Sequence, residues 1–188
     1  MQFKLPEFSA HIWISGFASK PSDVDLTMRA ILATYPRVIV QLVDLDKVPG
    51  SRFLFLATLN ALKSFHSRQR ISKTLSMEIL LFVSANRQIN EALRLVGVTP
   101  NTRKTAALLV AGSEEETSGA AELLSEVLKQ NSSDTLMEDW SAERTKNILF
   151  LYGIGPKELK ATIRNNESKA QAIERLAIER SALLTVRK

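Results

Sequence analysis

With 188 residues, 45% of them apolar and 24% charged, the chain is long enough to bury a core and has the make-up of an ordinary soluble globular domain, which argues against large-scale disorder. Having no cysteine, it is excluded from disulfide frameworks, thiol nucleophiles and thiolate metal sites, and it fits a reducing compartment. The net charge of +5 is blocked along the chain: residues 1–51 balance, 52–104 carry +7, 105–143 carry −8 and 144–188 carry +6, which favours polyanion contact on one surface and charged protein partners on others.

In chain order, the start MQFKLPEFSAHIWIS has no uninterrupted signal-like core, and no stretch approaches bilayer length, so a cytoplasmic protein with no membrane partner is expected. His11–Phe17 alternates as a strand; Pro21, Ser22 and Asp23 open a helix from Val24 to about Thr34, which Tyr35 and Pro36 end. Val38–Val43 is a second strand, leading into the turn region Asp44–Ser51. Ser51 is placed to cap a strongly apolar helix from Arg52 to about Ser67, with Phe55, Leu59 and Leu62 on one stripe and Leu54, Ala61 and Phe65 on another. The connection Phe65–Ser76 holds Arg68, Arg70 and Lys73 and no acid. Such a segment is a candidate for contact with a phosphate backbone, and equally reads as a solvated loop.

Met77–Val98 is the stretch around which the reading is organised. Glu78–Val83, apolar with β-branched and aromatic residues, predicts a strand; Ser84, Ala85 and Asn86 predict a turn; a helix follows, capped by Asn86 and closed by Gly97 in the left-handed position. Ile89, Ala92, Leu93 and Val96 share one face, predicted to be core, opposite Arg87, Asn90, Glu91 and Arg94. Arg87 falls at the positive end of that helix, where amides, dipole and guanidinium together suit an anion such as a phosphate. Pairing with Glu91 or plain solvation is the other reading.

Thr99–Asn101 forms a turn, and Arg103 and Lys104 lead into a strand at Thr105–Val110. Strand, helix and strand would then form a unit flanked by two basic turns. Gly112 and Ser113 begin an acidic helix from Glu114 to about Gln130, and Asn131–Asp134 is a polar link. Three helices follow: from about Asp139 to Tyr152, closed by Gly153; from Pro156 to about Arg164; and from Lys169 to about Thr185. The expected fold is mixed α+β, a small central sheet of about four strands with helices packed around it, in a single domain 1–188 with a helical C-terminal part 138–188.

Chemistry-bearing motifs are sparse. His11 and His66 lack neighbouring ligands at metal-site spacing, so no metal is expected. Asp44 and Asp46 form a DxD pair after a strand, a pattern that suits Mg²⁺ with a nucleotide or, as often, turn capping. Gly153-Ile154-Gly155 imitates part of a phosphate loop, but it follows a helix and lacks the lysine, so it reads as a cap and a turn. With no nucleophile elbow either, a binding protein that is not an enzyme and needs no cofactor is the default.

Two segments carry a resemblance. ISKTLSMEILLFVSANRQINEALRLVGV resembles the central signature of the small kinase-binding subunit of the KEOPS complex, the family of the PRPK-binding protein: a basic loop, a small-residue turn, Arg-Gln-Ile and a short helix closed by Gly. FLYGIGPKELKAT with IERLAIERSALL is similar to that family's C-terminal pattern, in the same order and at similar separation. The turn departs from the pattern at Ser84-Ala85-Asn86, where a glycine is common. The resemblance implies a non-catalytic subunit of the machinery that makes threonylcarbamoyladenosine at position 37 of tRNA. Such a subunit binds and stimulates the N-lobe of a small atypical kinase, meets the catalytic threonylcarbamoyltransferase indirectly, and holds the tRNA 3′ CCA end. On that basis Arg68, Arg70, Lys73, Arg87, Arg103 and Lys104 would contact RNA phosphates, and the polar edges of Ser84, Asn86 and Gln88 base or ribose. Ile154, Leu176, Arg180 and Leu183 would face the kinase. Two other readings stay open: a small metal- and nucleotide-dependent enzyme using Asp44 and Asp46, and a structural adaptor whose basic face is incidental.

Overall fold

The computed structural model describes residues 1–67 and 69–186. Among them β1 (Gln2–Leu5), β2 (Ala10–Phe17), β3 (Ile39–Asp44) and β4 (Thr105–Ala111) form one antiparallel sheet in the spatial order β1-β2-β4-β3. Helix α1 (Val24–Thr34) connects β2 to β3, and the long excursion 46–97 separates β3 from β4. The chain falls into two compact units, one made of Met1–Leu45 with Val98–Glu138, the other of Asp46–Gly97 with Asp139–Lys188. The fold is mixed α+β, as the sequence predicts.

In the first unit Leu109 lies between Trp13 of β2 and Val40 of β3, so one sheet face gathers large side chains in register. Ile31 of α1 and Ala120, Ala121 and Leu124 of α5 (Glu114–Leu128) join Trp13, Phe17, Val40, Leu42 and Leu109 in a buried cluster. Each large side chain so buried contributes about 1.5–3 kcal/mol. The run TAALLVA shows no polar alternation because β4 is buried at all seven positions. Both helices carry the caps that their sequences announce: Asp23 accepts a hydrogen bond from Leu26 N at 2.9 Å, and Ser113 accepts one from Glu116 N at 3.2 Å. Short helix α6 (Thr135–Glu138) closes this unit.

The second unit is helical among its described residues. α2 (Ser51–His66) packs against α3 (Leu75–Ser84) and α9 (Lys169–Ala182), with α4 (Ile89–Val96), α7 (Ala142–Leu151) and α8 (Pro156–Thr162) around them. Here the structure corrects the sequence reading most sharply: the strand foreseen at Glu78–Val83 is the body of α3. Residues 78–84 are buried throughout, and a helix buried on every side is apolar on every side, so the run has no periodicity to separate it from a strand. Thr74 starts α3 by accepting from Met77 N at 3.3 Å. The sheet instead takes its fourth strand from Gln2–Leu5, too short to show a pattern. The strand-helix-strand unit foreseen around α4 is therefore two helices, α3 and α4, and β4 belongs to the other unit.

Smaller corrections follow from the turns. Gly50 occupies the N-cap of α2, and Ser51 is its first residue. α4 is preceded by Gln88 at the N-cap rather than Asn86, and Gly97 ends it at φ −64°, outside the left-handed region. The left-handed residue is Ala85, at φ 50°, where it terminates α3. An alanine there carries the Cβ–carbonyl crowding that glycine avoids. Ala85→Gly is therefore expected to raise stability by about 0.5–1 kcal/mol in urea unfolding, the relief of crowding exceeding the added unfolded-state entropy. On α4, Ala92 and Val96 are buried as foreseen, whereas Ile89 and Leu93 stand 38% and 46% exposed.

Candidate nucleic-acid interface

The basic connection is a held loop. Glu78, one turn into α3 and fully buried, turns its carboxylate back on residues 71–72: it accepts from Ser72 N at 2.7 Å, from Ile71 N at 3.1 Å and from the Ser72 hydroxyl at 2.8 Å. The Ser64 hydroxyl of α2 donates to it from the other side at 2.7 Å. A carboxylate has about four acceptor positions, and these are used by local donors, which is why a charge with no printed cationic partner is tolerated inside. The effect is to fix the backbone that presents Arg70 and Lys73, both exposed. Arg70 lies over the Phe65 ring, its guanidinium carbon 5.9 Å from the centroid. Arg68 lies outside the described residues.

Beside this loop, within the same unit, is an open cleft of about 330 Å³ lined by Asn60, Lys63, Ser64, Ser67, Gln69 and Thr185 with Phe82 and Ala182. An ammonium, two carboxamides and hydroxyls over an aromatic ring offer donors to phosphate oxygens and to ribose hydroxyls. Arg87 contributes to this region through structure: its Nη1 donates to Leu184 O at 3.1 Å, holding the turn that carries Thr185. The guanidinium is thus engaged with backbone, and Glu91 pairs with Arg94 at 2.7 Å.

The remaining residues foreseen for RNA are distributed differently. Ser84 is buried and its hydroxyl donates to Leu81 O at 3.1 Å, which takes it away from any ligand. Asn86 accepts from Gln88 N at 2.9 Å and shapes the turn, and the Gln88 side chain is exposed. Arg103 and Lys104 belong to the first unit, the former exposed and the latter half-buried. Of the residues foreseen for the kinase, Leu176, 3% exposed, and Ile154 are buried and serve the core of the second unit. Leu183 is half-buried, and Arg180 meets a carboxylate of its own chain, Glu158 of α8.

Asp44 accepts from the Thr102 hydroxyl at 3.0 Å, a structural tie within the first unit, while Asp46 belongs to the second. Among the described residues no group of three or more His, Asp or Glu side chains is placed to hold a metal ion, and no helix is long and apolar enough to cross a membrane. Gly153-Ile154-Gly155 is a cap and a turn: Gly153, at φ 61°, and Ile154 return their amides to Phe150 O and Leu149 O of α7 at 3.2 and 2.9 Å, and Gly155 precedes Pro156 at the first position of α8. Sequence reasoning passed over Asn60 and Lys63, which look like ordinary exposed positions of an amphipathic helix. It also passed over Glu78 and Arg144, whose burial no local pattern signals, and Phe150 of α7, exposed although aromatic.

Compared with known families, residues 24–185 match the sequence model of a family described as Kinase binding protein CGI-121, a span that runs through both units. Comparison with curated proteins gives no match.

Proposed function

The chain belongs to the CGI-121 family of kinase-binding proteins, and on that premise we propose that it is the non-catalytic, tRNA-recruiting subunit of a KEOPS complex, both units together forming the functional domain. In this reading it docks on the N-lobe of the small atypical kinase, stimulates it, and brings the 3′ CCA end of tRNA to the machinery that modifies adenosine 37. The observation that carries the RNA half is the held basic loop, with Arg70 and Lys73 presented beside a cleft of Lys63, Asn60 and Gln69. A preformed cationic loop binds a polyanion without first losing loop entropy, and each phosphate neutralised releases counterions. For the kinase half, Leu183 and the exposed pair Ile89 and Leu93 are the accessible apolar groups, with Ile154 and Leu176 supporting them from within.

The test is Arg70→Glu combined with Lys73→Glu in the full chain. Both side chains are exposed, so the fold is expected to be kept. tRNA affinity should fall by about tenfold or more at near-physiological salt, the slope of log affinity against log salt should shrink by about two, and association with the kinase should be unchanged. Unchanged tRNA affinity at matched salt would reject this face. Arg87→Glu is a poorer probe, because it also releases the turn at Leu184.

A further inference from the structure

Phe150 projects from α7 with 85% of its surface exposed, in an unpaired position that burial would favour by about 1.5–3 kcal/mol if a partner covered it. It is not isolated. Within the second unit it borders a cleft of about 180 Å³ whose other walls are Lys47, Arg94, Leu95, Asn147 and Leu151. The described lining therefore contains two cations, one carboxamide and an aromatic ring, and no acid. Arg94 is steadied by Glu91, whose hydrogen bond and charge raise the guanidinium's pKa and keep it cationic at every accessible pH.

The geometry points to a second nucleic-acid contact here, distinct from the loop of Arg70 and Lys73: Phe150 is a stacking platform for one unpaired base, with Arg94 and Lys47 beside it for the adjoining phosphates and Asn147 for the base edge. Charge complementarity decides the class of occupant. A flat π-face between cations suits a single-stranded polynucleotide, whose every residue supplies a planar base and an anion. An apolar protein surface would leave Lys47 and Arg94 to be desolvated against nothing. The inference rests on the RNA-binding reading above and extends it to an aromatic contact.

The experiment measures binding of the full chain to a fluorescein-labelled single-stranded RNA oligonucleotide, alongside Phe150→Ala, Phe150→Leu and Phe150→Trp, with thermal melting to verify folding. Phe150→Ala and Phe150→Leu are each expected to weaken binding about tenfold at unchanged melting temperature, since leucine restores apolar area but offers no π-face. Phe150→Trp should keep the affinity, with its indole emission quenched on RNA addition. If the parent chain binds RNA, and the Arg70/Lys73 double variant weakens it, yet Phe150→Ala binds like the parent, this inference is overturned and the loop reading survives. If the parent chain binds no RNA, both fail together. Loss of kinase association in Phe150→Ala with RNA affinity intact would make this a protein-docking surface and overturn the inference as well.

Discussion

Replacing Glu78 with alanine is expected to destabilise the protein by roughly 3–5 kcal/mol, the scale of removing one partner from a buried charged network. The loss has identifiable parts. The amides of Ile71 and Ser72 and the Ser64 hydroxyl all donate to this carboxylate, and a fully buried position gives water little access to replace it. Each buried donor left unsatisfied costs about 1–3 kcal/mol. Glu78→Gln keeps the volume but turns one acceptor into an NH₂ that faces existing donors, so it should lose about 2 kcal/mol. Urea unfolding followed by far-ultraviolet circular dichroism reads both. The functional consequence is sharper than the stability loss: with its anchor weakened, the loop of Arg70 and Lys73 must be ordered at the moment of binding. Glu78→Gln should therefore weaken tRNA binding even where the protein is fully folded. A carboxamide variant as stable as the parent would remove Glu78 from this role.

Arg144→Ala is expected to cost about 3–5 kcal/mol for a different reason. Its guanidinium is buried on α7, with Nε and Nη2 donating to Val48 O at 3.2 and 2.9 Å and Nη1 donating to Asp139 O. Its carbon lies 5.5 Å from the centroid of the Trp140 ring. Val48 sits in the first of the two segments that make up the second unit, and Asp139 opens the other. One planar fork therefore joins stretches about ninety residues apart, leaving two carbonyls unsatisfied and a cavity when it is truncated. Arg144→Lys should recover only part of the loss, since an ammonium cannot reproduce the fork. The measurement is the urea midpoint at constant slope, and a loss under about 1 kcal/mol for the alanine variant would show that the fork contributes little.

Much of this was readable from residue order. The caps Asp23 and Ser113, Pro156 at a helix start and Gly153 at a helix end act within a few residues of themselves, so the chain announces them wherever it is folded. The strands at His11–Phe17, Val38–Val43 and Thr105–Val110 were legible within one residue at each end because each is short, apolar and bounded by turn formers. The failure at Glu78–Val83 is instructive: total burial erases the polar residues that would have revealed a helical period. Ile89 and Leu93 err in the opposite sense, since their spacing marks an apolar face without saying whether anything covers it. The candidate site was legible in part. The acid-free loop with Arg70 and Lys73 is a local property of composition, whereas its anchoring by Glu78 and its companionship with Asn60, Lys63 and Thr185 are not.

By itself, then, the amino-acid order determined the fold class, most element boundaries and where positive charge accumulates, because propensity, capping and charge density act over a few neighbouring residues. Tertiary structure alone decided which apolar residues are covered, which cations are already engaged, as Arg87 is with Leu184 O and Arg180 with Glu158, and which distant side chains share a cleft. The reason is physical: desolvation and hydrogen-bond satisfaction depend on neighbours in space, and those neighbours are supplied by segments far away along the chain.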